Sequence, residues 1–356
     1  RGPIAVGVLA GLLLVGFKLF QPQIAEFTFD RAVDRTVGVD PSADLPDGLH
    51  VYMCGTGSPM PDVSRAGPCI GVLAGRQAFV FDAGSGGIRK LSRMGFPMDR
   101  LEGAYLTHLH SDHIDGLGEL LLQAWIAGGR SAPLPVSGPV GTETVVNAFN
   151  AAYELDRGYR VAHHGPEVAN PAGSGGQPIE ITFSDETMAS DVVYNRGDVQ
   201  ITVIRVNHAP INPAFGYRID YKDRSIALSG DTVYDAGFVA ASKGVDVMFH
   251  DALDPEMLGR VEDALKARGN DRTAQIMHDI LDYHASPEEG ARAASQAGAA
   301  ELVYYHIVPP MPTRALNQMF IADASDIFDG RITVGEDGMM ISLVAGGPDS
   351  LHSKAF

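Results

Sequence analysis

The sequence predicts an α/β layered domain whose functional site lies where its strands end, behind an apolar N-terminal helix. Three observations carry this reading. The apolar run Ala104 to Thr107 reads as a strand and stops on His108-Leu109-His110-Ser111-Asp112-His113. Three other β-rich runs, Val199 to Asn207, Ser225 to Gly230 and Glu301 to Tyr305, stop on His208, Asp231 and His306. From Pro3 to Phe17 every residue is apolar or glycine. Binding sites in open α/β folds gather at strand ends, so the first two observations bring distant ligand-type side chains into one cleft.

Taken in order, residues 1–20 approach the ~20 apolar residues that cross a bilayer and read as a membrane anchor. The alternative is a secretory signal removed by cleavage, but no Ala-x-Ala-like site follows the apolar run. Residues 21–47 then form a spacer. Arg1 before the helix and an acidic domain after it favour a periplasmic catalytic domain by the positive-inside tendency, against which Lys18, Arg31 and Arg35 stand on the far side. Cys54 and Cys69 fall on neighbouring predicted strands and could pair in an oxidising compartment; separate buried thiols are the simpler expectation.

The catalytic domain is expected over residues 48–345. Gly55-Thr56-Gly57-Ser58 lacks the Gly-Lys-Ser/Thr ending of a phosphate-binding loop and reads as a turn between a strand and the site's rim. Asp82, in Phe81-Asp82-Ala83-Gly84, is expected to hydrogen-bond to the ligand loop rather than bind metal. In extended backbone alternate side chains share a face, so His108, His110 and Asp112 converge while His113, opening the next helix, approaches from another side. Such a segment can serve two metal ions. Residues 129–198, with Tyr153 to Arg160 and a Pro/Gly/Ser-rich stretch from Pro166 to Pro178, form an insertion expected to shape the substrate pocket; His163-His164 within it reads as solvated. Ser286-Pro287-Glu288-Glu289 has capping-box spacing with proline in the first turn, and Gly298 stops that helix. Arg331 to Val334 and Met339 to Val344, joined by Gly335 to Gly338, read as a closing β-hairpin. Residues 346–356 are a tail.

The ordered set Gly55-Thr56-Gly57-Ser58, Phe81-Asp82-Ala83-Gly84, His108 to His113, His208 with Gly216-Tyr217-Arg218, Ser229-Gly230-Asp231-Thr232 and His306 resembles the metallo-β-lactamase superfamily, in its RNase Z and arylsulfatase-like branch. The resemblance covers Leu49 to Leu343 and implies a four-layer αβ/βα sandwich. It implies that His108, His110 and His208 hold one metal, that Asp112, His113 and His306 hold the other, and that Asp231 bridges them. Imidazole and carboxylate donors without thiolate suit two zinc ions, with manganese or iron compatible. Paired ions in such enzymes sharpen a shared water into a hydroxide nucleophile and neutralise charge building on the reacting group. Beyond Asp112, the expected catalytic residues are His284 and His250. His284, before a helix, falls where RNase Z-like enzymes carry a general acid, a role suited to imidazole. His250-Asp251 resembles the family's His-Glu segment with Asp replacing Glu, and supports the ligands from behind.

A formal charge of −17 over 356 residues repels polyanions, whereas nucleic-acid-binding proteins carry basic patches. The RNase Z relatives commonly insert a tRNA-gripping arm after Gly-Tyr-Arg, but here only Ile219 to Leu228 separates Arg218 from Ser229. The expected function is therefore hydrolysis of a small phosphodiester, sulfate ester or related ester, with nucleic acid disfavoured as partner. Lactone hydrolysis and RNase Z-like endoribonuclease activity are the alternatives, and a membrane-tethered metal-binding scaffold is the non-enzymatic one. The resemblance also allows a homodimer.

Overall fold

The computed structural model describes residues 2–185, 187–321 and 323–356, with side chains described from residue 17 onward except residue 19. Two compact units result, Arg1–Asp44 and Leu45–Phe356. The first is a helix, α1 (Gly2–Thr36), and a single 3-10 turn.

The expected membrane-anchored periplasmic placement is not borne out. Among the described residues no helix is long and apolar enough to cross a membrane. The apolar residues 1–16 and 19 lie outside those whose side chains are described. The helix does not stop at residue 20, where a spacer was expected: it runs on through Glu26, Asp30, Arg31, Asp34 and Arg35 to Thr36.

The second unit holds two sheets. Its chain runs through β1 (Gly48–Gly55), β2 (Cys69–Ala74), β3 (Gln77–Phe81), α2 (Gly87–Arg93), β4 (Leu101–Tyr105), α3 (Ser111–Ile114), α4 (Leu117–Ile126), β5 (Leu134–Gly138), α5 (Thr142–Ala152), α6 (Glu154–His164) and β6 (Gly176–Glu180). It continues through β7 (Ser190–Arg196), β8 (Val199–His208), β9 (Ile211–Tyr221), β10 (Arg224–Leu228), α7 (Ala236–Ala241), β11 (Val247–Leu253), α8 (Pro255–Ala267), α9 (Asp271–Asp279), α10 (Pro287–Ala297), β12 (Glu301–Val308) and α11 (Asn317–Phe320). β13 (Arg331–Val334), β14 (Met339–Val344) and β15 (Ser350–Lys354) close it. One sheet has the order β15-β14-β1-β2-β3-β4-β5-β6, the other β13-β12-β11-β10-β9-β8-β7.

The sheets pack face to face because alternate residues of each strand are apolar on the shared side. Val51, Val72, Phe79 and Tyr105 of the first sheet meet Val203, Tyr217, Ile219 and Phe249 of the second in one core. Behind the first sheet, Ile88 and Leu91 of α2 and Leu117, Leu120 and Leu121 of α4 pack on Leu73, Val80 and Leu106. Behind the second, Phe238 of α7 and Ala291, Ala294 and Ala297 of α10 pack on Ala227, Met248 and Leu302. Helix, sheet, sheet, helix is the layering expected. α10 starts with the expected capping box, Ser286 with Glu289, and ends at Gly298 in the left-handed region.

Two sequence expectations give way. β13 and β14 do not form a hairpin: β13 runs parallel to β12 in one sheet, and β14 antiparallel to β1 in the other. The connecting turn spans both, since Gly335 N–H donates to the Tyr304 carbonyl and Gly338 N–H to that of Met53. Cys54 and Cys69 are joined in a disulfide rather than kept as separate thiols. The β1–β2 pairing sets Gly55 opposite Cys69 and brings the cysteine Cα atoms to 5.1 Å, within the span of a bridge. Residues 350–354 of the expected tail form β15.

Candidate metal centre

Four chain segments deliver the predicted ligands to one end of the paired sheets. The loop after β4 carries His108 and His110, and α3 directly behind it Asp112 and His113; β8 ends on His208; Asp231 follows β10; His306 lies within β12. Their donor atoms form two groups, His108, His110, His208 and Asp231, and Asp112, His113 and His306, each within 4.8 Å. Asp231 reaches both. Its Oδ2 lies 3.8 Å from His108 Nε2 and 3.9 Å from His208 Nε2 on one side, and 3.3 Å from His113 Nε2 and 3.2 Å from His306 Nε2 on the other.

The rings are aimed by partners on their far nitrogens, which fix ring orientation and tautomer. His113 Nδ1 is 2.8 Å from Asp82 Oδ2, and His208 Nδ1 is 2.9 Å from the Tyr283 carbonyl. His108 Nδ1 faces Thr107 Oγ1 at 3.1 Å, and that hydroxyl donates to Asp82. Asp82 also accepts from Thr107 N–H. It binds the ligand loop as expected and is not itself in the ligand groups.

Asp82 and His306 adopt positive φ, 55° and 49°, a conformation that costs a non-glycine residue about 1–2 kcal/mol. Such strain persists where the surrounding structure fixes it. Of the described non-glycine residues with positive φ, Lys222 sits in the β9–β10 turn, while Asp82 orients His113 and His306 faces Asp231.

Burial and charge divide the histidines. Burial, followed by the charge of His113, holds His108 well below the ordinary imidazole range; burial likewise lowers His110 and His208. Burial also pulls down on His113, but Asp231, Asp82 and Asp112 outweigh it and raise that ring well above the usual value. Burial pushes Asp231 upward, and His306 and His113 overcome it to hold the carboxyl well below the usual carboxylate range. A crowd of buried acids and imidazoles is balanced by protons only in part. His113 Nε2, His208 Nε2 and Asp231 Oδ1 are buried without hydrogen-bond partners, a costly state for polar atoms. Lone pairs pointing at a common centre suit divalent cations, so the residues fit the expected metals.

Beside the ligands, His284 stacks on His306 with ring centroids 5.1 Å apart and an interplanar angle of 27°. Its Nδ1 lies 2.9 Å from Asp251 Oδ2. His250 sits differently from a pocket residue. It is fully buried on the helix side of β11, edge-on to Phe238, with Nδ1 3.1 Å from Asp251 Oδ1. Asp251 is the side chain that meets His284, and His250 supports Asp251 from behind. Asp251 also takes the Thr232 N–H at 3.3 Å, and burial, which raises its carboxyl, is outweighed by the His250 and His284 hydrogen bonds. Tyr283 completes this wall, its ring edge-on to His208 at 4.8 Å. The sequence points to Asp251 only as half of the His250-Asp251 pair, and Tyr283 carries no signal there beyond adjoining His284. His163 and His164, at the end of α6, are solvent-exposed.

A two-sheet sandwich with histidines and aspartates converging at its strand ends defines a metal-dependent hydrolase acting on ester bonds. A family model described as Anti-Pycsar protein Apyc1 matches residues 49–261. The chain is 36% identical over 291 residues to the ribonuclease Z of Mycobacterium bovis (strain BCG / Pasteur 1173P2), covering 81% of this chain and 96% of that protein. It is 35% identical to the ribonuclease Z of Mycolicibacterium gilvum (strain PYR-GCK), covering 81% and 94%. Human tRNase Z, short form, has the same fold, with a TM-score of 0.58 and 20% identity over 82% of this chain and 98% of that one. YhfI from Bacillus subtilis does too, at 0.56 and 19% over 83% and 100%. The chain belongs to the family that the matching model describes, within the ribonuclease Z branch of the metallo-β-lactamase superfamily.

Proposed function

We propose that the protein is a two-metal phosphodiesterase of the ribonuclease Z type, loaded with zinc. The observation that carries this is Asp231 lying between two sets of donors, with Oδ2 within 3.9 Å of four histidine nitrogens. His108, His110 and His208 would hold one ion, Asp112, His113 and His306 the other, and Asp231 both. Ions held there would supply an activated water and neutralise charge on the phosphoryl oxygens.

The chain's own residues supply the rest. Asp251 fixes the His284 ring through Nδ1 and leaves Nε2 to hand a proton to the departing oxygen. Asp82 and the Tyr283 carbonyl hold His113 and His208 in register, so the ligand set is rigid before substrate arrives.

The relatives' name supports RNA as the substrate, despite the acidic charge that argues against it. A second reading, a small phosphodiester, is favoured by the β9–β10 connection. Arg224 pairs with Tyr221 across a turn of Lys222 and Asp223, leaving no room there for an RNA-gripping arm. The segment 129–198 bears on this choice because the turn before α5 abuts the metal loop: a side chain at Gly141 would meet Leu109 at 2.8 Å. The test is hydrolysis by zinc-loaded protein of precursor tRNA beside bis(p-nitrophenyl) phosphate. Cleavage of the precursor tRNA supports the ribonuclease reading, turnover of the small ester alone supports the second, and turnover of neither contradicts both.

A further inference from the structure

Three buried side chains close on His284. His306 stacks on its ring, the His208 ring lies 5.3 Å away between centroids, and Asp251 holds its Nδ1. Tyr283 also meets it, ring against ring at 4.8 Å between centroids and an interplanar angle of 46°, and this neighbour is partly exposed. A group that reaches His284 from solvent therefore comes in beside Tyr283.

Tyr283 is fixed in that position. Its carbonyl accepts from His208 Nδ1 at 2.9 Å, and its ring meets that of His208 edge-on. The Ala285 carbonyl accepts from Leu253 N–H of β11 at 2.9 Å, so the segment is tied on both sides of His284. Burial raises the phenol, and the charges of Asp231 and Asp112 act on it ahead of those of Asp282 and Asp279 in its own segment, which sets its polar end toward the metal centre. Apolar surface continues away from it: Ile280 and Leu281 pack against the cluster of Leu258 and Met277, as does Met60, which lines a cleft with Asp112. A departing oxygen must come within about 3 Å of the nitrogen that protonates it, so the carbon bearing that oxygen is held beside the Tyr283 ring. An aromatic wall so placed favours an aromatic neighbour over a small alkyl one.

We propose that the Tyr283 ring is the surface against which the substrate's leaving group packs, and that it selects leaving groups carrying a planar aromatic or heterocyclic ring. This rests on the phosphodiesterase reading with His284 as the acid, but the test reads binding rather than turnover. In zinc-loaded protein, calorimetry should show phenyl phosphate binding more tightly than methyl phosphate, a monoester of the same charge, by about 3- to 10-fold. Tyr283→Ala should abolish that preference while methyl phosphate affinity and metal content stay as in wild type, since the backbone carbonyl that orients His208 is kept. Tyr283→Phe should retain the preference, because packing and not the hydroxyl produces it. Equal affinities for the two monoesters in wild type, or a preference that survives in Tyr283→Ala, would overturn the proposal. So would an equal loss for both esters or a loss of metal in Tyr283→Ala, either of which marks a ring that only supports His208. A preference that depends on Tyr283 in a protein that turns over no phosphodiester would leave the aromatic-selective surface standing and remove the phosphodiesterase reading instead.

Discussion

At the residue scale, the site depends on side chains that touch ligands rather than on the ligands alone. Asp82 is the clearest case, because from a backbone of positive φ its carboxylate holds His113 Nδ1 at 2.8 Å and ties down Thr107 beside His108. Asp82→Asn should weaken metal binding by about 10- to 100-fold, read as the zinc concentration needed to restore activity; an unchanged requirement would remove that role. His284→Ala should cost about 10²- to 10⁴-fold in turnover with metal content intact. Loss of metal along with turnover would instead make His284 a ligand, since its ring also falls in a group with Asp231 and His306. The seven ligand-type residues stand out in sequence because four are local and the others follow β-rich runs, although β12 continues past His306 to Val308. The resemblance points to His250-Asp251 as a pair but not to the member that meets His284, for a physical reason: every residue of β11 is buried. With no alternation of polar and apolar faces, nothing in the strand told whether His250 or Asp251 looks toward the pocket.

At the element scale, the centre is fixed by close backbone packing between the Phe81-to-Gly84 turn, the segment before β2 and α3. A Cβ at Gly84 would lie 2.3 Å from the Gly67 carbonyl carbon and 2.4 Å from the Asp112 carbonyl oxygen, neither of which can yield without moving a ligand. Gly84→Ala should therefore reduce bound metal well below that of wild type and lower thermal stability; full metal content would show that the turn adapts. The expected β13–β14 hairpin illustrates what sequence does not hold. Two short strands separated by Gly-Glu-Asp-Gly look like neighbours, yet each pairs with a strand distant in the chain, and the turn crosses between sheets. The β1–β2 register that joins Cys54 to Cys69 is likewise a tertiary fact.

At the scale of the whole catalytic unit, the second edge of the fold is closed by a buried acid. Glu301, 3% exposed, lies 2.8 Å from His352 Nε2 and accepts from Ser350 Oγ at 2.6 Å, which ties β12 of one sheet to β15 of the other. Burial raises its carboxyl, but the hydrogen bonds from His352 and Ser350 win and hold it below the ordinary value of 4.5. A depressed folded value means a contribution that is complete above about pH 4.5 and is lost as pH falls through the folded value. Glu301→Gln should destabilise the protein by about 1–3 kcal/mol at neutral pH and flatten the acid limb of its stability curve. Equal acid limbs in variant and wild type would contradict this. The layered architecture itself was legible because strand periodicity and helix caps are local signals, and the order of motifs supplied the rest.

The central claim is that one pocket holds two cations across Asp231. Elemental analysis of the purified, zinc-equilibrated protein beside its Asp231→Asn variant tests it most directly. The account predicts about two zinc ions per chain in the wild type, clearly fewer in the variant, and hydrolysis lost with the metal. A wild type that retains no more than one ion, or a variant that retains both, would contradict it.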